Sequence, residues 1–142
     1  MSARPWRPWA AAGDIVQCRF PEGKAGIPGP KDRPALVLEV EEDPENSEDC
    51  IVRVAYGTSQ GISRRFPGEF TVASNDPSAG LDRDTKFDLG NSVRLRFDDD
   101  WFAAAPARRP KHPKRGALDI RNPKIKRALQ AAIIEARAAG RL

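Results

Sequence analysis

Four polar residues spaced along the chain could together bind a phosphate group and move a proton. Arg33 precedes a proline at the start of an apolar run, and a guanidinium held there could contact phosphate oxygens through two N–H groups. Thr58 offers a hydroxyl donor in a segment flanked by glycines, where backbone N–H groups could approach the same phosphate. If residues 86–88 are extended, Lys86 and Asp88 point to the same face, about 7 Å apart. One of these two could then take up a proton while the other neutralises phosphate charge.

Each of these residues also has an ordinary structural interpretation. Arg33 could form a surface ion pair with Asp32 or Glu39, and Thr58 could be a simple turn residue. The amine and the carboxylate at 86 and 88 could stabilise the edge of a strand. The residue types and spacing leave both interpretations open for all four positions.

The scarcity of histidine excludes several other kinds of site. The chain has one histidine, His112, in a segment that we interpret as a linker. A catalytic triad needs a histidine oriented by the fold, and a zinc site needs several histidines or cysteines at fixed spacing. Three consecutive aspartates at 98–100 could hold a hard cation, but neighbouring residues of an extended chain point apart, which favours a solvated strand end. No glycine-rich phosphate-binding motif is present. We therefore expect neither a metal nor a cofactor.

The cysteine content and the hydropathy pattern indicate a cytoplasmic protein. Cys18 and Cys50 cannot form a disulfide framework, so we expect two inert thiols in a reducing compartment. The first residues lack the apolar run of a secretory signal. No segment approaches the roughly 20 apolar residues of a membrane span, so no membrane is expected as a partner.

Alternating apolar residues and turn signals predict a mainly β fold in one domain of 142 residues. The predicted strands cover residues 15–20, 35–40, 51–56, 70–73 and 92–97. The second of these is the most apolar and is expected to be central. We expect it to pair antiparallel with the third strand through an exposed acidic connection, residues 39–50. Short strands separated by turns are typical of a compact barrel or sandwich.

The end of the sequence predicts an amphipathic helix over residues 122–140. Asn122 suits the N-cap, Pro123 the first helical position and Gly140 the position after the last turn. One face of this helix is apolar and the opposite face is basic. We expect the apolar face to dock on the rest of the domain or on a second subunit. Residues 106–121 are interpreted as a basic linker.

Charge and aromatic residues are unevenly distributed. Residues 1–100 carry a net charge of −5 and residues 101–142 a net charge of +9. A segment with this much positive charge could bind nucleic acid or an acidic protein. It could also be a solvated tail. In residues 1–12, interpreted as a flexible arm, Trp6 and Trp9 alternate with arginines and could stack on bases. An unstructured or dimer-packing arm is the other interpretation.

Four segments occur in the order of a known family. They read Gly-Asp-Ile-Val leading to Phe-Pro over 13–21, Arg-Pro-Ala-Leu-Val-Leu over 33–38, Val-Ala-Tyr-Gly-Thr-Ser over 54–59, and Thr-Lys-Phe-Asp-Leu over 85–89. In this order and spacing, residues 13–105 resemble the PemK/MazF-like toxins of bacterial toxin–antitoxin systems. The resemblance implies a small SH3-like β-barrel, to which the C-terminal helix is an addition, and a homodimer.

The resemblance also implies a metal-independent endoribonuclease that cleaves single-stranded RNA through the neighbouring 2′-OH. The implied catalytic residues are Arg33, Thr58, Lys86 and Asp88. Two departures affect the last pair: a lysine stands at 86 where the family has arginine, and Leu-Gly-Asn over 89–91 replaces the usual following segment.

RNA binding and partners follow from the same resemblance. The implied RNA-binding residues are Phe20, Lys24, Lys31, Ser59 and Gln60. The implied protein partner is a small antitoxin. Because of the changed segment at 86–91 and the added helix, the alternative function is a non-catalytic module that binds nucleic acid or protein.

Overall fold

One antiparallel sheet and one helix make up the regular structure. The computed structural model describes residues 3–23 and 26–142. Its elements are β1 (Asp14–Cys18), β2 (Arg33–Asp43), β3 (Asn46–Thr58), β4 (Glu69–Val72), β5 (Thr85–Arg96), β6 (Lys114–Ala117) and α1 (Pro123–Ala138). The strand order is β4-β5-β3-β2-β1-β6, and all neighbours are antiparallel. The predicted mainly β fold with one C-terminal helix is confirmed.

The sheet is not closed into a barrel. Its two edges are β4 and β6, and no ladder joins them in the described part of the chain. The segment between β4 and β5 lies against β6 instead. The Ala117 N–H donates to the Ser78 carbonyl at 2.8 Å, and the Arg115 Nε donates to the Gly80 carbonyl at 3.0 Å. This segment therefore occupies the outer side of β6, where a barrel would place a pairing strand.

The β2–β3 hairpin is longer than the acidic composition suggested. The predicted connection over 39–50 is almost entirely strand, because only two residues separate Asp43 from Asn46. The Asp43 carboxylate accepts the Glu45 N–H at 2.9 Å and so stabilises the turn. Arg96 of β5 reaches this turn, with its Nη2 2.8 Å from the Glu45 carboxylate. Ion pairs between neighbouring strands thus neutralise the acidic residues, so that these residues can form part of the β2–β3 ladder.

Both faces of the sheet are buried, because side chains alternate along each strand. One apolar cluster includes Val16, Val37 and Val54 and is covered by residues 6–10 and 97–102. The other includes Ile15, Leu36 and Phe87 and is covered by α1. The strand ends and edges are therefore the parts of the sheet that can form a site.

The two segments that flank the predicted barrel contribute to the fold. Trp6 in the predicted flexible arm donates its backbone N–H to the Phe97 carbonyl and its indole N–H to the Phe102 carbonyl, each at 2.9 Å. The predicted linker, residues 106–121, contains β6. In each case, contacts with residues far away in the sequence fix a segment whose own sequence has no clear helix or strand pattern.

The helix has the predicted bounds and caps. The Asn122 side chain accepts the Lys124 N–H, a proline occupies the first turn, and Gly140 has a φ of 70° just beyond the C-cap. Ala132 and Ala136 are buried against β4 and β5 of the same chain. Small residues on the buried face let the helix approach the sheet closely. No helix in residues 3–23 and 26–142 has the length and apolarity needed to cross a membrane.

Candidate functional site

A cleft of about 250 Å³ lies where β2 begins and β3 ends. Three of the predicted site residues, Arg33, Thr58 and Ser59, line it. The remaining lining residues come from β1, from the segments that lead into β2 and β5, from the strand ends and from β6: Gln17, Asp32, Pro34, Gly57, Asp82, Arg83, Thr85 and Arg115. The cleft is therefore rich in arginine and contains a hydroxyl pair.

Strand register explains why distant residues of the sequence meet at this end of the sheet. Thr58 pairs with Lys86 across β3 and β5. Continuing the β2–β3 register beyond its first pair puts Arg33 opposite Thr58. Asp88 lies two residues further along β5, opposite Tyr56. Arg33, Thr58 and Lys86 thus share one cross-strand row, and Asp88 lies two rows away. Of the four predicted catalytic residues, only Arg33 and Thr58 line the cleft.

Arg33 is held in place but keeps hydrogen-bonding capacity. Its Nε lies 2.6 Å from the Glu22 carboxylate, and its guanidinium carbon lies 5.5 Å from the Tyr56 ring centroid. The Nε is buried, and no described residue offers it an aligned hydrogen-bond acceptor. A close but misaligned carboxylate supplies charge without using the directional N–H. Glu22 covers the buried Nε and orients the Arg33 guanidinium, while the two Nη groups, which bind no partner among the described residues, stay available to a ligand.

Neither of the carboxylates suggested as partners of Arg33 binds it. Asp32 is 3.4 Å from Arg19, and Glu39 is 3.6 Å from Arg53. The predicted ion pairs are wrong because residues 32 and 39 lie beside other arginines once β1, β2 and β3 pair. Asp32 nevertheless lines the cleft as a half-exposed carboxylate.

Lys86 does not line the cleft, although it pairs with Thr58. Its Nζ donates to the Gly61 and Arg64 carbonyls, each at 3.0 Å, and lies 3.1 Å from the Glu69 carboxylate. These three acceptors use the three N–H groups of the ammonium. Lys86 therefore holds the segment between β3 and β4, residues 59–68, against the sheet.

Asp88 is also bound by protein groups. One carboxylate oxygen accepts the Gly90 N–H at 2.9 Å, and the other lies 3.6 Å from Arg141 Nη2. Lys86 pairs with Glu69, so the expected amine–carboxylate pair of residues 86 and 88 does not form. The guanidinium that follows α1 neutralises Asp88 in its place.

The predicted RNA-binding residues have different environments. Ser59 lines the cleft, and Gln60 and Lys31 are exposed nearby along the chain. Lys24 lies outside the described residues. Phe20 is 3% exposed and belongs to the apolar cluster, with its ring centroid 5.2 Å from that of Tyr56. A ring this deeply buried cannot stack on a base, so Phe20 is a core residue.

A backbone contact shapes the hydroxyl end of the cleft. The Gln60 N–H donates to Thr58 Oγ1 at 3.1 Å. This turn leaves the Thr58 O–H free to donate, because the oxygen accepts through a lone pair. The Thr58 hydroxyl can therefore act as the donor that its residue type suggested.

Two arginines of the cleft were missed at the level of sequence. Arg83 is exposed, and no carboxylate lies within ion-pair distance of it among the described residues. Arg115 is 7% exposed in its side chain and binds Asp82 at 3.0 Å and Gln17 at 2.7 Å. Arg115 is thus structural and Arg83 is available. The only sequence signal for these two arginines was the general excess of basic residues. They come close to the cleft because of the way β6 packs.

The buried histidine and cysteines have structural roles. His112 accepts the Lys114 N–H at Nδ1 at 3.0 Å, so its Nε2 carries the proton that is donated to the Pro8 carbonyl at 2.8 Å. Burial raises the pKa of the Cys18 thiol and raises that of Cys50 to about 11. Two neutral thiols in the core are poor nucleophiles.

The described residues contain no cluster of three or more histidine, cysteine, aspartate or glutamate side chains that could hold a metal ion. No protein-family model matches the sequence, and no curated protein sequence is significantly similar to it.

Proposed function

We propose that this chain is a metal-independent endoribonuclease that cleaves single-stranded RNA, as its resemblance to the PemK/MazF-like toxins implies. The supporting observation is the convergence of Arg33, Thr58 and Ser59 on one cleft. An oriented guanidinium opposite a hydroxyl suits a phosphodiester, whose two free oxygens need a cation and a donor. Arg83 adds a second cation for a neighbouring phosphate.

In the proposed reaction the 2′-oxygen attacks the adjacent phosphorus. The new bond joins O2′ to phosphorus and the bond from phosphorus to O5′ breaks, which gives a 2′,3′-cyclic phosphate and a 5′-hydroxyl. Arg33 and Thr58 stabilise the additional negative charge of the pentavalent intermediate. A base takes the proton from the 2′-OH, and O5′ takes a proton from water, to which the cleft is open.

Asp32 is the base in this proposal. Its carboxylate lines the cleft and is paired only at the half-exposed Arg19 among the described residues. Asp88, which the resemblance suggests for acid–base chemistry, is bound by Gly90 and Arg141. Lys86 is assigned the role of a positioning residue, because it holds the backbone that follows Thr58.

The remaining implications of the resemblance are proposals of the same kind. The sheet would be an open relative of the SH3-like barrel, and the chain a cytoplasmic homodimer neutralised by a small antitoxin. Ile62 and Phe66, which are 38% and 57% exposed in the segment that follows Thr58 and Ser59, offer apolar side chains to a protein partner. Sedimentation of the purified chain tests the dimer, and co-purification with a small protein encoded next to it tests the antitoxin.

The second candidate is a module that binds RNA or protein without cleaving it. The contacts of Lys86 and Asp88 favour this alternative, because both groups of the expected acid–base pair are already bound by other groups of the protein. This module would use the same arginine-lined cleft.

The experiment compares the purified wild-type chain with Arg33→Ala on a labelled single-stranded RNA in excess EDTA. We expect cleavage by the wild type and at least a 100-fold slower reaction for the variant. Arg94→Ala is the matched control, since this arginine is also on a strand and paired with a glutamate but is exposed and away from the cleft. Intact RNA with bound wild-type protein would favour the binding module, and intact RNA without binding would contradict both.

A further inference from the structure

A second cleft, of about 350 Å³, lies between residues 7–11 and residues 108–114. Its lining includes one partly exposed aromatic ring and four cationic side chains: Trp9, Arg7, Arg108, Lys111 and Lys114. None of these residues lines the cleft around Arg33. The composition is that of a surface that stacks on a base and binds phosphate.

The walls of this second cleft are fixed by buried contacts. His112 is 5% exposed and joins them, because its ring binds the Pro8 carbonyl on one wall and the Lys114 N–H on the other. Asp14 accepts the Ala11 N–H at 2.9 Å and lies 3.3 Å from Lys114 Nζ. The site is therefore formed before any ligand arrives, which lowers the entropic cost of binding.

Two of the four cations have no anionic partner in the described part of the chain. Arg7 is 2.8 Å from Asp49, and Lys114 pairs with Asp14. Among residues 3–23 and 26–142, no carboxylate lies within ion-pair distance of Arg108 or Lys111. The second cleft thus carries an uncompensated positive charge from two side chains.

Trp9 is oriented but not covered. Its indole N–H donates to the Glu48 carbonyl at 3.1 Å, and the side chain remains 39% exposed. Trp6, the other tryptophan of this segment, is instead packed on the core. A fixed exposed indole beside arginine and lysine is a stacking surface for a nucleobase.

The edge strand β6 links the two clefts. Successive side chains of a strand point to opposite faces, and Lys114 lines the second cleft while Arg115 lines the first. A flexible polyanion that passes over the segment between β4 and β5, which covers the outer side of β6, can contact both clefts. A short acidic peptide would satisfy the cations but would leave the indole without a flat partner.

We propose that the second cleft binds a nucleotide of the single-stranded RNA outside the scissile phosphate, with its base on Trp9 and its phosphate on Arg108 and Lys111. The proposal rests on the proposed function in one respect, namely that the ligand is RNA. It assigns substrate affinity, and not catalysis, to this cleft.

The test measures equilibrium binding of a fluorescent, fully 2′-O-methylated oligonucleotide, which lacks the attacking hydroxyl and stays intact. We expect Trp9→Ala to weaken binding about 5- to 100-fold, and Trp9→Phe to retain most of the affinity. Arg108→Ala with Lys111→Ala should reduce the slope of log affinity against log salt by about 1. Thermal unfolding of each variant checks that it is folded.

Two controls separate this cleft from the rest of the surface. Ile134→Ala removes a side chain that is 67% exposed on α1, and Lys126→Ala with Arg127→Ala removes two exposed cations of the same helix. Both should bind like the wild type. A folded Trp9→Ala variant that binds the oligonucleotide as tightly as the wild type would overturn the inference about this cleft and leave the proposed function standing. A wild type that binds no RNA, or binds only oligoglutamate, would overturn both the inference and the proposed function.

Discussion

Lys86 Nζ lies 3.1 Å from the Glu69 carboxylate in a pair whose side chains are only 8% and 12% exposed. The two residues belong to the neighbouring strands β5 and β4. The same ammonium donates to two carbonyls of residues 59–68 and so helps to hold this segment on the sheet, together with the Leu89 N–H, which donates to the Gly68 carbonyl at 2.9 Å. Because Thr58 and Ser59 lead into this segment, the hydroxyl end of the cleft depends on a residue outside it.

Removal of this ammonium should destabilise the protein strongly. Lys86→Met leaves Glu69 as an unpaired buried charge, and we expect a loss of about 3–5 kcal/mol in the free energy of unfolding measured in urea. Lys86→Met combined with Glu69→Leu should recover much of that loss, because no charge is then buried alone. Equal destabilisation by the single and double variants would show that the pair contributes little.

The acid–base assignment distinguishes two carboxylates. We expect Asp32→Asn to slow RNA cleavage at least 30-fold, because general-base catalysis typically contributes 100-fold or more. Asp88→Asn should stay within about threefold of the wild type, since Asp88 is engaged by Gly90 and Arg141. Single-turnover cleavage rates measure both. The reverse ranking of the two variants would return the base role to Asp88.

The contact between α1 and residues 59–68 should weaken in acid. The Gly68 N–H and the Arg65 guanidinium lower the pKa of Glu135, which accepts from both. A carboxylate with a lowered pKa in the folded state stabilises that state at pH values above its unfolded pKa, and this stabilisation is lost as the pH falls through the lower folded value.

Glu135→Gln should therefore lower the melting temperature at pH 7 and show a smaller further loss than the wild type between pH 5 and 3. Glu45→Gln is the control, because its carboxylate is also paired with an arginine but lies at the exposed hairpin turn. If the melting temperatures of the wild type and of Glu135→Gln fall equally over that range, Glu135 does not cause the acid sensitivity.

Gly57 is required by close backbone approach in the first cleft. A Cβ at this position would lie 2.2 Å from the Pro34 carbonyl oxygen and 2.9 Å from the Phe87 ring. We expect Gly57→Ala to destabilise the fold by about 3 kcal/mol, at the upper end for overpacking, because backbone on β2 has to move. Gly23→Ala is the matched control, since a Cβ there meets no atom of the described residues within 4 Å. Thermal unfolding compares them, and similar melting temperatures would contradict this reading of the contact.

Local sequence patterns predicted those helices and strands whose own residues show alternation or capping. The strand cores, the antiparallel pairing of β2 with β3, and both caps of α1 follow from alternation, from Asn122 and from Gly140. The length of the β2–β3 hairpin did not follow from a local pattern, because its acidic residues pair with arginines of neighbouring strands. Two of these arginines, Arg94 and Arg96 of β5, lie about fifty positions further along the sequence.

The site was predictable as a set of residues but not as an arrangement. Arg33 and Thr58 meet through strand register, which the apolar pattern already determines. The partners of Lys86 and Asp88 depend on where residues 59–68 and α1 pack, and no local pattern specifies that packing. The same limitation hid β6, a four-residue strand whose position is set by contacts with β1.

Burial of Cys18 and Cys50 makes the native thiols unreactive at neutral pH, since both side chains are nearly inaccessible and their pKa values are raised. A single cysteine introduced on the surface would consequently be the one group that a maleimide dye or a photocrosslinker modifies. Attachment of such a reagent at an exposed position near either cleft would report the path of a bound strand without any need to mutate the natural cysteines.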